Sequence, residues 1–305
     1  MKSHKRGNLI FIKGVDPKAS NTAKLSHIFK VIRTNYKDFY WWRTEILRYV
    51  FEIYSKKWKG NNGIYVLEEK WDNLIILDAC RYDVLKEVMG ERIGYRISRG
   101  SSTLEWIKEH FSGAKCHNIV YVTSNPWINR IASDAFYKVI PVWKDGWDED
   151  LGTVHPKTTT EYAKEAAKRY PDKRLIIHYM QPHVPYIVEN DLPKRPMLEL
   201  AKGKLNPLDV WAVYKKSLEA TLPYVYELIE NLQGRTVISS DHGELFDKKV
   251  LFYNFAGHPW GLHVPELIQV PWVVYKSGAK GPREEPTQRQ ELKNIIERLK
   301  DERRI

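Results

Sequence analysis

The stretch Arg235-Thr-Val-Ile-Ser-Ser-Asp-His-Gly-Glu244 runs from a short apolar segment directly into two acids and a histidine. A short apolar run of this kind predicts a buried strand, here over residues 235–240. Asp241 and His242 follow at the predicted carboxyl end of that strand. Because carboxylate oxygens and imidazole nitrogens are ligands of divalent cations, the stretch predicts a metal site at a strand end.

Other predicted strands are followed by polar residues in the same way. Asp78 ends the run Asn73-Leu-Ile-Ile-Leu-Asp78, and His183 comes shortly after Arg174-Leu-Ile-Ile-His-Tyr179. His258 and His263 lie in Gly257-His-Pro-Trp-Gly-Leu-His263. Each residue alone has an ordinary structural role available, since an aspartate after a strand can cap a helix and a histidine can be structural. Their order along the chain is what favours a common site.

Predicted strands alternate with helical patterns along most of the chain. This alternation predicts an α/β fold with a mostly parallel central sheet flanked by helices, and such sheets place chemistry at the carboxyl ends of their strands. We expect one helix to begin with a Thr158…Glu161 capping box and another to bend near Pro223. The further predicted strands are residues 73–78, 118–123, 136–143, 174–179 and 270–275, and the predicted helices are residues 81–89, 103–111, 157–170, 208–232 and 290–303.

The positive charge of the chain is concentrated at its N-terminus. The net charge is +11, and residues 1–60 contribute +10 of it, with 14 Lys and Arg against 4 Asp and Glu. The nearly neutral remainder argues against a broad nucleic-acid surface on the core. We therefore expect a basic, aromatic-rich helical segment at residues 1–62 and one larger domain at residues 63–305, divided at Gly60-Asn-Asn-Gly63.

Residues 21–58 have apolar side chains at helical spacing, interleaved with cations and ten aromatic side chains. Trp and Tyr favour the lipid headgroup level, and Lys and Arg favour anionic lipids, so this helix is suited to peripheral contact with an anionic membrane. The same pattern also fits a helix whose apolar stripe packs on the core while its cations are solvated. It fits a nucleic-acid-binding segment as well, although the neutral core makes nucleic acid an unlikely partner.

The composition also bounds the location. No run of about 18 apolar residues is present, so no membrane-spanning helix is predicted. The apolar residues 9–12 are too short for a signal peptide, and we expect a cytoplasmic protein, peripheral at the membrane if residues 21–58 dock there. Cys80 and Cys116 stand at unrelated positions and are expected to be reduced packing residues.

The motifs and their order resemble the alkaline phosphatase superfamily, especially its sulfatase-like and phosphoethanolamine-transferase-like branches, over residues 71–276. Asp78 matches the metal-binding aspartate after the first core strand, and Ser240-Asp-His-Gly-Glu244 matches the element with two metal ligands. His183-Val-Pro-Tyr186 matches a His-x-Pro-Tyr element, and Gly257-His258 matches a Gly-His element before a Glu-Leu…Val-Pro segment. The resemblance implies an alkaline-phosphatase-like three-layer core, with residues 63–305 as the catalytic domain.

In this family the nucleophile stands at the start of a helix after the first aspartate, and the matching segment is Ser98-Arg-Gly-Ser-Ser-Thr-Leu-Glu105. Ser102 and Glu105 form an S-x-x-E pattern, which predicts a capping box that leaves Ser101 free. Backbone N–H groups at the helix start would stabilise a phosphate, and a metal would activate the hydroxyl. Ser101 is therefore the expected nucleophile, through a phosphoserine intermediate, with Ser102 and Thr103 as alternatives.

The resemblance also implies roles for the other site residues. Asp78, Ser101, Asp241 and His242 would bind one divalent metal ion, which could be Mn, Zn, Ca or Mg. His183 and His258 would bind the oxyanion and the leaving group, with His263 as the alternative to His258. The chain shows no clear Asp-x-x-x-His element of the kind that builds a second site.

The expected reaction is hydrolysis or transfer of a phosphomonoester or phosphodiester, with an anionic lipid or a cell-envelope glycan as candidate substrates. A sulfatase is an alternative, but the family's C/S-x-P-x-R pattern, counted from Ser101, would need Pro at Thr103 and Arg at Glu105. A non-catalytic protein that binds an anionic ligand or nucleic acid is a further alternative. The choice of acceptor, and so of hydrolase or transferase, is left open by these motifs.

Overall fold

The computed structural model describes residues 20–37, 62–90, 93–250 and 253–277, together with Trp42, Ile46 and Val50. The chain divides into two compact units, residues 1–60 and residues 61–305. The predicted closing helix at residues 290–303 and most of the N-terminal lead-in lie outside the described residues.

The second unit contains the sheets. Its strands are β1 (Asn73–Leu77), β2 (Gly94–Ile97), β3 (Cys116–Thr123), β4 (Phe136–Pro141), β5 (Trp147–Asp148), β6 (Thr153–Val154), β7 (Arg174–Tyr179), β8 (Gly234–Ser239), β9 (Leu245–Val250), β10 (Tyr253–Gly257) and β11 (Gln269–Ser277). The helices whose bounds lie within the described residues are α1 (Asn21–Asn35), α2 (Tyr82–Met89), α3 (Thr103–Phe111), α4 (Trp127–Ile131), α5 (Val142–Asp145), α6 (Pro156–Arg169), α7 (Pro196–Ala201), α8 (Pro207–Asn231) and α9 (Pro265–Ile268), with a 3₁₀ turn at Ser133–Ala135.

Seven strands form one central sheet in the order β2-β11-β8-β1-β7-β3-β4. The strands β8, β1, β7, β3 and β4 are parallel to one another, while β11 pairs antiparallel with both β8 and β2. The prediction of a mostly parallel sheet is confirmed. Two small antiparallel pairs, β9 with β10 and β5 with β6, lie apart from it.

Successive residues of the central strands point into two different apolar layers. In β1, Ile75 and Leu77 pack in one cluster with the helices α2, α6 and α8, while Leu74 and Ile76 pack in the other with Trp106 and Phe111 of α3. This alternation is the period of two expected of a strand covered on both faces. The result is the three-layer core, helix–sheet–helix, that the sequence predicts.

Several predicted elements differ in detail. The strand expected at residues 136–143 ends at Pro141, and residues 142–145 form a helical turn instead. The capping box Thr158…Glu161 is wrong, because α6 begins at Pro156 and His155 Nδ1 accepts the N–H of Lys157 at 3.1 Å. β2 and the hairpin of β9 and β10 were not predicted.

The N-terminal unit differs from one continuous helix over residues 21–58. Helix α1 begins after Ser20, whose side chain accepts the N–H of Ala23 at 3.2 Å, and it ends at Asn35, before a turn at residues 36–37. Trp42, Ile46 and Val50 are helical, and the remainder of the segment lies outside the described residues. Within the described part of the chain, no helix has the length and apolarity to cross a membrane.

The loop after β8 is held against the segment that leads into β11. Gly243 donates its N–H to Leu267 O at 2.8 Å, and a Cβ built on Gly243 would lie 2.0 Å from Glu266 O. Since the obstacle is backbone rather than a flexible side chain, only glycine fits here without displacing the loop that carries Asp241 and His242.

We predict that Gly243→Ala lowers the free energy of unfolding by more than about 3 kcal/mol, in the range of forced steric overlap. Gly203→Ala is the matched control, because its Cβ would meet nothing within 4 Å and only the left-handed backbone at φ +72 is strained. That strain costs about 1–2 kcal/mol. Urea denaturation of both variants tests the difference, and equal losses would contradict the steric explanation.

Candidate active site at the carboxyl ends of the central strands

Asp241 is fully buried directly after β8 and Ser240. Its Oδ1 accepts the backbone N–H groups of Ala79 at 3.2 Å and His242 at 3.0 Å. Ala79 has a left-handed backbone at φ 58, a conformation that costs a non-glycine residue energy and is kept where the surroundings demand it. Two backbone donors on one oxygen fix the carboxylate, and Oδ2 is left without a hydrogen-bond partner in a buried position.

Asp78, one residue past β1, is arranged in the same way. Its Oδ2 accepts a hydrogen bond from Asn125 Nδ2 at 2.7 Å, while its Oδ1 is buried without a hydrogen-bond partner. Sequence reasoning missed Asn125, although it follows the predicted strand at residues 118–123 as the other site residues follow theirs. Each aspartate thus has one oxygen anchored and one available.

His242 completes the group. Its Nδ1 lies 2.7 Å from Gly243 O and donates to that carbonyl, which leaves the lone pair on Nε2. Nε2 lies 3.4 Å from Asp241 Oδ2 and 3.7 Å from Asp78 Oδ1. The ligand atoms of the three residues lie within 4.8 Å of one another. Two orphaned buried oxygens and an imidazole nitrogen with a lone pair fit a divalent cation.

The electrostatics of the group agree with this fit. Burial disfavours ionisation of Asp78, but the imidazoles of His178, His183 and His242 hold the pKa of its carboxyl well below the ordinary value. Burial likewise disfavours a charged His242, but Asp241 and Asp78 raise the pKa of its imidazole. The two carboxylates therefore attract positive charge, which a metal ion would supply in place of a proton.

His178 was not predicted as a site residue, yet it lies beneath the group. It is buried in β7, its Nδ1 is 2.9 Å from Tyr121 Oη, and its Nε2 is 3.6 Å from Asp78 Oδ2. Its place at the end of an apolar strand, next to the strand that leads to Asp78, is the signal that could have found it.

A second group lies nearer the solvent. Glu244 is buried and its Oε1 is 3.0 Å from His258 Nδ1, while its Oε2 has no hydrogen-bond partner. The ring centroids of His183 and His258 are 5.1 Å apart, and those of His242 and His258 are 4.4 Å apart. His183 and His258 are half-buried, whereas the metal-ligand group beside them is fully buried. The structure therefore brings His183 and His258 together nearer the solvent than Asp78, Asp241 and His242. Glu244 contacts His258, a role that the sequence analysis does not predict.

The hydroxyls around the start of α3 are placed differently from the prediction. Thr103 Oγ1 lies 3.2 Å from His242 Nε2. Ser101 Oγ lies 2.8 Å from Glu105 Oε2 and 2.9 Å from Pro259 O. The predicted capping box is wrong, because Ser102 makes no capping hydrogen bond and its Oγ is buried without a hydrogen-bond partner. Of the three hydroxyls, that of Thr103 is therefore the one placed beside the metal-ligand group.

The contacts of Glu105 explain why the predicted capping box with Ser102 does not form. Its carboxylate reaches back to the N–H of Ser101 at 2.9 Å, and its other oxygen lies 3.1 Å from His263 Nε2. His263, which the sequence left open as the alternative to His258, thus contacts Glu105, and it is His258 that lies beside the ligand group. The contacts of Glu105 with Gly261 and His263 take the place of the predicted hydrogen bond to the N-cap residue Ser102.

Comparison with solved structures shows which fold the chain has. The chain is similar to the integral membrane protein lipooligosaccharide phosphoethanolamine transferase A from Neisseria meningitidis, with a TM-score of 0.50 and 13% identity over 91% of this chain and 64% of that one. This likeness shows that the chain shares the alkaline-phosphatase-like fold of that transferase. The chain spans less than two thirds of the length of that transferase.

Two further structures are similar at lower scores. The C-terminal periplasmic domain of phosphoethanolamine transferase EptC from Campylobacter jejuni has a TM-score of 0.48, with 13% identity over 75% of this chain and 87% of that one. The corresponding domain from Escherichia coli, in complex with Zn, has a TM-score of 0.46, with 14% identity over 79% of this chain and 84% of that one. No protein-family model and no curated protein matches the sequence.

We predict that a divalent metal stabilises the wild-type chain and that Asp241→Asn removes this effect. A metal at 100 times its dissociation constant stabilises the folded state by about 2.7 kcal/mol. Melting temperatures measured with and without Mn²⁺, Zn²⁺, Ca²⁺ or Mg²⁺ test this, and Asp172→Asn, exposed in the turn after α6, is the control. An unchanged metal response in Asp241→Asn would rule out this ligand set.

Proposed function

We propose that the chain is a metal-dependent enzyme that hydrolyses or transfers phosphate esters. One observation carries the proposal: the hydroxyl of Thr103, at the N-terminus of α3, lies 3.2 Å from His242 within a buried group of metal ligands. A hydroxyl in this position can be activated as a nucleophile, and the free N–H groups of the helix start can hold phosphate oxygens. The similarity to solved structures supports the fold alone.

In this proposal Asp78, Asp241, His242 and Thr103 would hold one divalent metal ion, Mn, Zn, Ca or Mg. When bound, it would lower the pKa of the hydroxyl and neutralise phosphate charge. Glu244, His183 and His258 offer a second set of ligand atoms, so metal analysis per chain separates one ion from two. We assign this second set to the leaving group.

The reacting bonds follow from these positions. The Thr103 hydroxyl loses its proton to solvent, and its Oγ1 forms a bond to phosphorus as the bond to the leaving oxygen breaks, which gives a phosphothreonyl enzyme. His258 contacts the leaving oxygen and relays a proton to it from solvent. Burial and the neighbouring His242 and His183 lower the pKa of His258, although Glu244 opposes them. Water or an acceptor hydroxyl then takes the phosphoryl group, and that choice separates a hydrolase from a transferase.

The substrate class is a phosphomonoester or phosphodiester, with an anionic lipid or cell-envelope glycan as candidates. A sulfatase stays an alternative for this fold, and a protein that binds an anion without turnover is another. A panel of phosphomonoesters, phosphodiesters and sulfate esters, each assayed with the four metals, separates the three. Turnover of sulfate esters alone would support a sulfatase, and metal binding with no turnover would support a binding protein.

We predict that Thr103→Ala lowers kcat by at least about 10³-fold, as expected for loss of a nucleophile. Ser101→Ala is the matched control and the test of the nucleophile expected from sequence. We expect it to lose less than about tenfold, because it removes the hydroxyl contacts with Glu105 and Pro259 O, while Glu105 keeps the N–H groups of Ser101 and Gly261. Phosphopeptide mapping after quenching should find the phosphate on Thr103. Phosphate on Ser101 would restore the sequence-based assignment.

We further propose that residues 21–58 contact an anionic membrane. In the described part of this segment the exposed apolar and aromatic side chains are Leu25, Phe29, Tyr36, Trp42, Ile46 and Val50. The exposed cations Lys30, Arg33 and Lys37 accompany them. Exposed apolar and aromatic side chains beside cations suit the headgroup region of anionic lipids. Nucleic acid is the weaker alternative partner, and the cytoplasmic location stays a prediction.

We predict that the chain co-sediments with anionic liposomes at low salt and that added salt weakens the binding. Reversing Lys30, Arg33 and Lys37 to Glu should reduce it, because each cation near the surface contributes about 1 kcal/mol. Reversing Lys138, Lys157 and Lys216, exposed on the other unit, changes the total charge equally and is the control. Equal losses in both variants, or no binding by the wild type, would contradict this proposal.

A further inference from the structure

Glu105 is a buried carboxylate that joins two segments far apart in the sequence. One oxygen accepts the N–H of Ser101 at 2.9 Å, the hydroxyl of Ser101 at 2.8 Å and the N–H of Gly261 at 3.2 Å. The other oxygen lies 3.1 Å from His263 Nε2. The exposure of the Glu105 side chain is 9% and that of His263 is 6%.

Each of the joined segments carries a residue of the proposed reaction. Thr103 lies two residues before Glu105, at the first position of α3, and His258 begins the loop of residues 258–263 that holds Gly261 and His263. The hydroxyl of Ser101 also lies 2.9 Å from Pro259 O, so residues 101–105 contact this loop at three residues, 259, 261 and 263. These contacts hold the segment that carries Thr103, the proposed nucleophile, against the loop that carries His258, the proposed leaving-group histidine.

The chemistry of the contact makes it a firm one. A buried carboxylate is costly unless donors surround it, and charge-assisted hydrogen bonds are about twice as strong as neutral ones. Such donors surround Glu105: the N–H groups of Ser101 and Gly261, the Ser101 hydroxyl and His263 Nε2.

The candidate metal ligands Asp78, Asp241 and His242 are held without this contact. The ligand atoms of Asp78, Asp241 and His242 are fixed by Asn125, by backbone N–H groups and by Gly243 O. Glu105 touches none of them in the hydrogen bonds of the described residues. Its contacts serve the relative placement of two loops.

We propose that Glu105 is a positioning residue, which holds the start of α3 against the loop of residues 258–263 so that Thr103 and His258 face one phosphate ester. This inference rests on the proposed function. Positioning of this kind acts on the reaction step rather than on substrate affinity, and a displacement of about 1 Å can cost about 10²-fold in rate.

The test compares Glu105→Gln with Glu109→Gln in the full-length, metal-loaded chain. Glu109 is on the same helix one turn further on, where it pairs with Arg99 at 3.3 Å, so it controls for the loss of a carboxylate from α3. We expect Glu105→Gln to lower kcat for the best phosphate ester of the panel by about 10- to 100-fold, with KM changed by less than about threefold.

Hydrogen exchange gives a second readout that needs no turnover. In Glu105→Gln, amides of residues 257–263 should exchange at least about tenfold faster, while those of β1 and β7 keep their wild-type rates. His263→Ala removes the donor from the loop side and should change both readouts in the same direction, which keeps the test available if Glu105→Gln does not fold.

The proposal requires both the loss in kcat and the faster exchange of residues 257–263. A kcat within about twofold of that of Glu109→Gln overturns the proposal, and so does unchanged exchange of residues 257–263. Equally faster exchange in β1 and β7 also overturns it, because Glu105 would then serve only global stability. If no ester is turned over at all, the proposed function fails, while the exchange result still decides whether Glu105 holds the loop.

Discussion

Two buried carboxylates at the ends of neighbouring parallel strands are the constraint on which the rest of the site depends. Asp78 follows β1 and Asp241 follows β8, and both side chains are shielded from solvent. Like charges buried together are unfavourable unless donors or cations compensate them. Asn125 and two backbone N–H groups satisfy one oxygen of each. The remaining oxygens favour a cation, and the surrounding elements fix where it would bind.

The topology of the sheet is what makes this pairing possible. β1 lies between β7 and β8 and is parallel to both, so three strands that are distant in sequence end at one edge. Leu77 pairs with Tyr179 and Ile76 with Ser239, which sets the two aspartates that follow β1 and β8 at nearly the same level. Because these strands end at one edge of the sheet, the carboxylates of Asp78 and Asp241 are buried there. The loops that carry His183 and His258 lie nearer the solvent.

The sequence predicts those elements whose residues show a local apolar pattern. The apolar runs that became β1, β3, β7 and β8 were found because burial on both faces leaves a continuous apolar signal. The order of the candidate aspartates and histidines followed from the ends of those strands.

The hydroxyl geometry at α3 could not be found in this way. The S-x-x-E pattern favours a cap by Ser102, but His263 and Gly261, more than 150 residues later, draw Glu105 elsewhere. Likewise the short edge strand β2 and the hairpin of β9 and β10 have too few apolar residues to be recognised as strands in the sequence.

The residues that follow Thr103 in the sequence bear on the reaction class. Counted from Thr103, the sulfatase pattern C/S-x-P-x-R would need Pro at position 105 and Arg at position 107, where the chain has Glu and Ile. A threonine also carries a methyl group on its β-carbon, so oxidation there gives a ketone and never the aldehyde of formylglycine. As the proposed nucleophile, the alcohol of Thr103 at a helix N-terminus suits attack at phosphorus, where charge develops on oxygens that backbone N–H groups and a bound cation would stabilise. The same fold hosts several reactions, and the proposed nucleophile at position 103 would favour phosphate over sulfate.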